Sequence, residues 1–217
     1  MKTALIFGSS GLVGKNLLNQ IINNSNYSKV KIFVRSSLEI SDQKVEIINT
    51  DFKDLQKIKN LIIGDDCFFC IGTTKKNSPD KNEYRRIELD LPKKIAQISK
   101  SNDIRSFIYV SSGFADPNNS GDYLKFKGLV EEEIKSLNFE KIGILRPSFL
   151  LGNRKEKRVG EKIGIFIFKL LSPLFVGPFK KMKPIHSEIV AKAMIQIANE
   201  DIQQIIFESN EISDLVG

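Results

Sequence analysis

Three side chains with complementary acid–base chemistry stand in order along the middle of the chain: Ser112, Tyr123 and Lys127. Tyr123 and Lys127 are separated by one helical turn, so on a helix they share a face and bring a phenol and an ammonium to one point. A free phenol ionises near pH 10, which makes it a poor acid or base at neutrality. A nearby lysine cation favours the phenolate, and each unit by which the ionisation moves is worth about 1.4 kcal/mol. Ser112 closes a strand and is suited to hydrogen-bond a carbonyl oxygen whose charge grows as hydride arrives, while Tyr123 supplies or removes the proton. Taken alone, Tyr-x-x-x-Lys is a common spacing in a chain with 33 Lys and Arg residues, and it fits an exposed helix with the Tyr ring packed sideways. Its weight comes from the order in which it falls, after a glycine-rich turn, a threonine-bearing strand end and a serine-bearing strand end.

The elements that must position these groups follow from periodicity. Short β-branched or aromatic runs, Thr3–Phe7, Val30–Val34, Val45–Asn49, Cys67–Ile71, Ser106–Ser111 and Lys141–Arg146, read as strands. Helical patterns lie between them near 12–24, 53–61, 82–101 and 122–137, and a further amphipathic helix is expected over Ser187–Ala198. Strands alternating with helices predict an α/β fold, a doubly wound parallel sheet of the Rossmann type. The near-continuous apolar character of Ala4–Phe7 and Phe68–Ile71 fits strands buried on both faces. The length of 217 residues suits one domain, 1–217, with a small cap over 150–185 above the carboxyl edge of the sheet.

The first strand delivers Gly8-Ser9-Ser10-Gly11-Leu12-Val13-Gly14 directly into a helix. A Gly-x-x-Gly-x-x-Gly turn lets the backbone approach a pyrophosphate and lets helix and strand pack closely. The helix amino end offers free N–H groups to the phosphates. The second strand ends in Arg35, followed by Ser36 and Ser37, with no carboxylate before Glu39. An NAD site usually places an acid there; a guanidinium instead pairs with a 2′-phosphate, so NADP(H) is expected over NAD(H). Ser10 or Lys15 is placed to add to the same pocket. Asp51 either accepts from an adenine amine, with Phe52 packing nearby, or caps a helix beginning at Lys53. Gly72-Thr73-Thr74 is expected to pass beneath the cofactor ribose.

The net charge of +7 is spread over Lys-Lys pairs at 75–76, 93–94 and 180–181 and one denser run, Arg154–Arg158. No aromatic-interleaved block accompanies it, so nucleic acid is not an expected partner. Cys67 and Cys70 have the spacing of a redox or metal pair but sit on a strand, where residues three apart point to opposite faces; they are expected to be structural, and no metal site is expected. No stretch of 18 apolar residues predicts a membrane span, and the short apolar start does not resemble a secretory signal, so a cytoplasmic location is expected by default. The apolar segment Ile163–Phe179 reads as a cap or dimer helix before a membrane-surface or partner-binding one, and the single histidine, His186, as a helix-entry residue before a substrate contact.

Taken together, these motifs resemble the short-chain dehydrogenase/reductase superfamily, of the extended or atypical kind. Arg146-Pro147 with Gly152, and Pro184-Ile185-His186 leading to Val190-Ala191, are similar to later segments of that group. Tyr123-Leu-Lys-Phe-Lys127-Gly128, Leu145-Arg-Pro-Ser-Phe-Leu-Leu151 and Glu208–Leu215 are similar to its Tat-interacting oxidoreductase-like branch. The resemblance implies NADPH binding and a Ser112–Tyr123–Lys127 triad, with Lys127 also holding the nicotinamide ribose. It departs after the fourth strand, where Cys70-Ile-Gly-Thr-Thr74 replaces an Asn-Ala-Gly-type signature. The leading expectation is an NADP(H)-dependent oxidoreductase acting on a carbonyl or alcohol, possessing an apolar substrate and a homodimer interface through 82–101 and 122–137. The alternative is a non-catalytic NADPH-binding sensor or scaffold acting through a protein partner. An epimerase or dehydratase acting on a nucleotide-sugar fits less well, because the chain is short for one.

Overall fold

The structure, a computed structural model of the chain, describes residues 1–36, 38–152 and 181–217. The apolar strands lie where their composition requires, inside a seven-stranded sheet whose pairings are all parallel. Its strands are β1 (Lys2–Phe7), β2 (Tyr27–Val34), β3 (Val45–Asn49), β4 (Asp66–Phe69), β5 (Ser106–Val110), β6 (Lys141–Arg146) and β9 (Ile206–Glu208), in the spatial order β3-β2-β1-β4-β5-β6-β9. The chain therefore winds outward in one direction from β1 and then in the other from β4. The junction of β1 and β4 is the topological switch point, where open α/β sheets bind ligands at the carboxyl edge.

Alternation along each strand divides the core into two layers. Ala4, Ile6, Val30, Ile32, Phe68 and Ile108 face α1 (Leu12–Ile22), α5 (Ser187–Asn199) and α6 (Ser209–Val216). Leu5, Phe7, Phe33, Phe69, Phe107 and Tyr109 face the layer built by α3 (Leu91–Ser101) and α4 (Asp122–Ser136). On that second face the rings of Phe33, Phe7, Phe69 and Phe107 run across four neighbouring strands, with centroid separations of 4.4, 5.9 and 6.5 Å. At the amino edge, the fully buried Asp66 accepts hydrogen bonds from Tyr27 Oη (2.8 Å) and Ser106 Oγ (2.7 Å) and pairs with Lys2 Nζ at 3.1 Å. A buried carboxylate is tolerable only when satisfied in this way.

Cys67 belongs to the second layer, whereas Cys70 lies against the first and contacts Met194 Sδ at 4.0 Å. They are free thiols on opposite faces, as the strand reading requires, and among the described residues no cluster of metal-ligating side chains exists.

Several boundaries differ from expectation. The helix expected over 53–61 is two short 3-10 turns, Leu55–Lys57 and Lys59–Leu61. A segment this short does not sustain an isolated helix. The helix expected over 82–101 is α2 (Lys81–Arg85), a π-turn over Arg86–Asp90, and α3. Pro92 is the cause: it has no N–H for the carbonyl of Glu88, four residues earlier, and its ring crowds that carbonyl. β9 and α6 were not evident from periodicity, since a three-residue strand carries little of it. The cap expected over 150–185 falls mostly on residues 153–180, outside the described residues, as do the basic run Arg154–Arg158 and the segment Ile163–Phe179. Its described ends, β7 (Leu150–Leu151) and β8 (Ile185–His186), pair in parallel as a separate small sheet. His186 is exposed and occupies the N-cap position of α5, a helix-entry residue. Among the described residues, no helix is long and apolar enough to cross a membrane.

Candidate active site

The glycine turn sits at the carboxyl end of β1, beside β4. Gly8 has φ +92°, and its carbonyl accepts from the Gly11 N–H at 3.0 Å. A Cβ on Gly14 would lie 2.1 Å from Gly8 O, so only glycine lets α1 pack this closely on the turn. α1 begins with no side-chain cap and no acidic residue in its first turn. Its free N–H groups and positive dipole end are left for an anion. Ser9 is buried within the turn and its Oγ has no hydrogen-bond partner, an orphaned donor at the place where a phosphate would pass. Val13 and Gly14 are buried, Leu12 is half-buried and Ser10 is exposed. The turn fits a dinucleotide.

Arg35, at the end of β2, is exposed and makes no ion pair among the described residues. Arg86 grips Glu83 through Nε and Nη2, both at 2.7 Å, and its Nη1 donates to Phe52 O at 2.9 Å. The Glu83 carboxyl is held below its ordinary range, chiefly by Arg86, with Lys53 and Arg35 adding their positive charge. Three cations therefore gather around one carboxylate beyond the carboxyl ends of β2 and β3. One of the two readings of Asp51 needs correction here. Asp51 accepts from the Lys53 N–H at 2.9 Å but caps no helix, because none starts there; Asp54 caps the following 3-10 turn instead. Phe52 has φ +57°, and its ring is buried in the core against Phe7.

Gly72 is exposed after β4. The hydroxyls of Thr73 and Thr74 are held locally: Thr73 Oγ1 lies 2.9 Å from Ser78 Oγ, and Thr74 Oγ1 accepts from the Asn77 N–H at 3.2 Å. The backbone N–H of Thr73 donates to Glu88 Oε1 at 2.5 Å. Glu88 was not anticipated as part of the site.

Tyr123, Lys127 and Glu131 follow one another at one-turn spacing along the inward face of α4. Tyr123 is 38% exposed, whereas Lys127 is buried one turn further along with Nζ 5.8 Å from the Tyr123 ring centroid and 4.9 Å from that of Tyr109. Lys127 Nζ also lies 3.2 Å from Glu88 Oε2, and both side chains are almost fully buried. Burial opposes the ammonium, but the Glu88 charge, the largest favourable influence, outweighs it and holds Lys127 well above its ordinary value. Ser112 is half-buried just past β5, and its hydroxyl bonds only weakly, to Gly113 O at 3.3 Å. Its neighbour Ser111 points the other way and donates to Glu131. Glu131 in turn holds Arg146, which also reaches Glu208 Oε1 at 3.2 Å. The signals that could have revealed these acids are a proline within a predicted helix and carboxylates at apolar helix positions.

The sheet order and the glycine turn at its switch point define a Rossmann protein with an NAD(P) site. A family described as NAD(P)H-binding matches residues 8–201. Rat Protein HTATIP2 is 33% identical over 164 residues, covering 74% of this chain and 67% of that protein. "Protein FMP52, mitochondrial" of Eremothecium gossypii is 30% identical over 220 residues, covering 98% of this chain and 96% of that protein. In shape, the Bordetella bronchiseptica enzyme WbmH, solved in complex with NAD+, superposes with a TM-score of 0.73 at 15% identity, covering 96% of this chain and 75% of that chain. The chain belongs to the NAD(P)H-binding family, as an atypical short-chain dehydrogenase/reductase of the HTATIP2-like branch. The expectation of a cytoplasmic location is corrected by these relatives, since the fungal proteins carry a mitochondrial designation in their names. That expectation rested on default and had no residue behind it.

Proposed function

We propose that this chain is an NADP(H)-dependent oxidoreductase that interconverts a carbonyl and an alcohol. The observation that carries the reading is the convergence of Tyr123 and buried Lys127 on one face of α4, with Lys127 Nζ donating to Val110 O at the serine-bearing end of β5. Gly8 to Gly14 and the amino end of α1 hold the pyrophosphate, the Ser9 hydroxyl gains its missing partner there, and Arg35 takes the 2′-phosphate, with Asp51 facing the adenosine. Gly72, Thr73 and Thr74 border the ribose, and Lys127 anchors the nicotinamide end. When bound, the nicotinamide supplies or accepts the hydride.

The chain's own residues do the rest. The Ser112 hydroxyl exchanges its weak contact with Gly113 O for a hydrogen bond to the substrate oxygen, stabilising the charge that develops there. The Tyr123 hydroxyl donates its proton to that oxygen in reduction and removes it in oxidation. Lys127 faces the phenol ring from below, so the phenolate left after donation is next to a cation. Phe114 and Phe149 are 48% and 67% exposed on the loops after β5 and β6, which supports an apolar substrate.

Calorimetry with NADPH and NADH, together with wild type and Tyr123→Phe in a screen of chemically varied carbonyls, tests the proposal. Tighter NADPH binding and turnover lost by about 10²–10⁴-fold in Tyr123→Phe are expected. NADPH binding with no turnover on any carbonyl would move the chain to the class of NADPH-dependent sensors or scaffolds, and partner capture would follow.

A further inference from the structure

We propose that Glu88 is a positioning residue: it keeps Lys127 a cation inside the protein and, through Lys127, sets how readily Tyr123 gives up its proton. This rests on the Tyr123–Lys127 reading above.

The groups facing Lys127 come from five places in the chain. Glu88 approaches from the π-turn, Tyr109 and the Val110 carbonyl from β5, Tyr84 from α2, Cys70 from the end of β4, and Tyr123 from the first turn of α4. Of these, only Glu88 is a carboxylate; Asp122, next to Tyr123 in the chain, is exposed and paired with Lys75 at 3.3 Å. Tyr84 is pushed up to about 12 by burial, and burial likewise raises Tyr109 and Cys70, so none of the three supplies a counter-charge. A lysine this buried, facing otherwise only neutral phenols, a thiol and one backbone carbonyl, loses its proton well below the ordinary value. Among the described residues, Glu88 is the one buried carboxylate paired with Lys127, and it prevents this.

The carboxylate is aimed, not merely near. Its Oε1 is fixed by the Thr73 N–H, and Pro92 opens the helix into the π-turn that carries Glu88 into the interior. Glu88 Oε2 has no hydrogen-bond partner and touches Lys127 as an ion pair at 3.2 Å. The Tyr109 ring centroid lies 4.9 Å from Lys127 Nζ, so its phenol and Glu88 Oε2 both face Lys127. A neutral residue at 88 would leave Lys127 to shed its proton, and Tyr123 would then face an amine instead of an ammonium.

The composition provides a readout that needs neither substrate nor cofactor. The chain has four tyrosines and no tryptophan, so tyrosinate absorbance in the near ultraviolet reports tyrosine ionisation alone. Tyr27, Tyr84 and Tyr109 are all raised by burial, and comparison with Tyr123→Phe assigns the Tyr123 step. In a pH titration of the full chain, Glu88→Gln, which keeps an acceptor for the Thr73 N–H, is expected to move that step upward by about one pH unit, about tenfold in the ionisation constant. Lys127→Met is expected to move it by the same amount, and the double variant by no more than either single one. Glu88→Asp retains the charge one methylene further back and is expected to fall between wild type and Gln; should the Gln variant not fold, this intermediate shift is the test. A step that stays in place or moves downward in Glu88→Gln, or in Glu88→Asp, while Lys127→Met raises it, overturns the role of Glu88. A step unmoved by Lys127→Met overturns the Tyr123–Lys127 pairing itself, and the role of Glu88 with it.

Discussion

Arg146 and Glu131 meet at two points, Nε to Oε1 at 3.0 Å and Nη2 to Oε2 at 2.5 Å, with Ser111 donating to the same buried carboxylate. The contact joins β6, α4 and the end of β5, the last two of which carry Tyr123, Lys127 and Ser112. Removing one member of such a pair leaves an uncompensated buried charge, at a cost of about 3–5 kcal/mol. Arg146→Ala is therefore expected to lower Tm by roughly 6–20 °C for a chain of this size, measured by circular dichroism. A fall of under about 2 °C would show that the contact does not hold these elements together.

The glycine turn makes a sharper demand. A methyl group on residue 14 would collide with Gly8 O at 2.1 Å, and backbone does not yield as a flexible side chain does. Gly14→Ala is expected to destabilise by about 1–3 kcal/mol and to abolish dinucleotide binding in the same calorimetric assay. Retained NADPH affinity in a folded Gly14→Ala chain would place the dinucleotide elsewhere.

Arg35 is exposed and without an ion pair among the described residues, so little stability depends on it. Arg35→Ala is expected to leave Tm nearly unchanged while weakening NADPH by about ten- to a hundredfold, the scale of charge-assisted hydrogen bonds. NADH binding should change little. Equal losses for the two nucleotides would remove Arg35 from the 2′-phosphate pocket.

The buried titrating groups predict an asymmetric pH profile. Burial pushes Cys67 and Tyr84 up to about 12 and raises Tyr27 further. A raised group favours the folded state below its unfolded value, and that advantage shrinks once the unfolded chain releases protons that the folded chain retains. The window here opens near the ordinary thiol and phenol values of 9.0 and 10.0 and extends to about 12. Denaturant midpoints are expected to decline steadily from pH 9 upward, more steeply than Lys and Arg titration alone would give. The carboxyls held low, Glu46, Glu83 and Glu133, are near the surface, so the acid limb is expected to be shallower. A profile flat from pH 8 to 11 would contradict the burial of these side chains.

The strands and the glycine turn were legible because their signals are local. Val45–Asn49 and Lys141–Arg146 keep the expected boundaries, and α4 begins where the Tyr123 spacing requires. The Cys67–Cys70 geometry was legible as well, since strand alternation alone decides it. Glu88 was not, because its position depends on a π-turn that periodicity averages away. The partnership of Glu131 with Arg146 and Glu208 joins segments up to 77 positions apart in the chain, a separation across which residue spacing is silent. The core packing of Phe52 was not legible for another reason: its positive φ is rare for a bulky residue, and nothing in the residue type signals it.

The placement of the two thiols has a consequence for the environments the fold tolerates. Cys67 and Cys70 are separated by the thickness of the sheet, and burial raises both well above the range in which a thiolate forms. Neither reaches the other for a cross-link, and neither is a ready nucleophile toward an oxidant. The covalent state of this pair is thereby uncoupled from the redox poise of whatever compartment surrounds the protein, and the fold needs no reductant to keep these thiols apart.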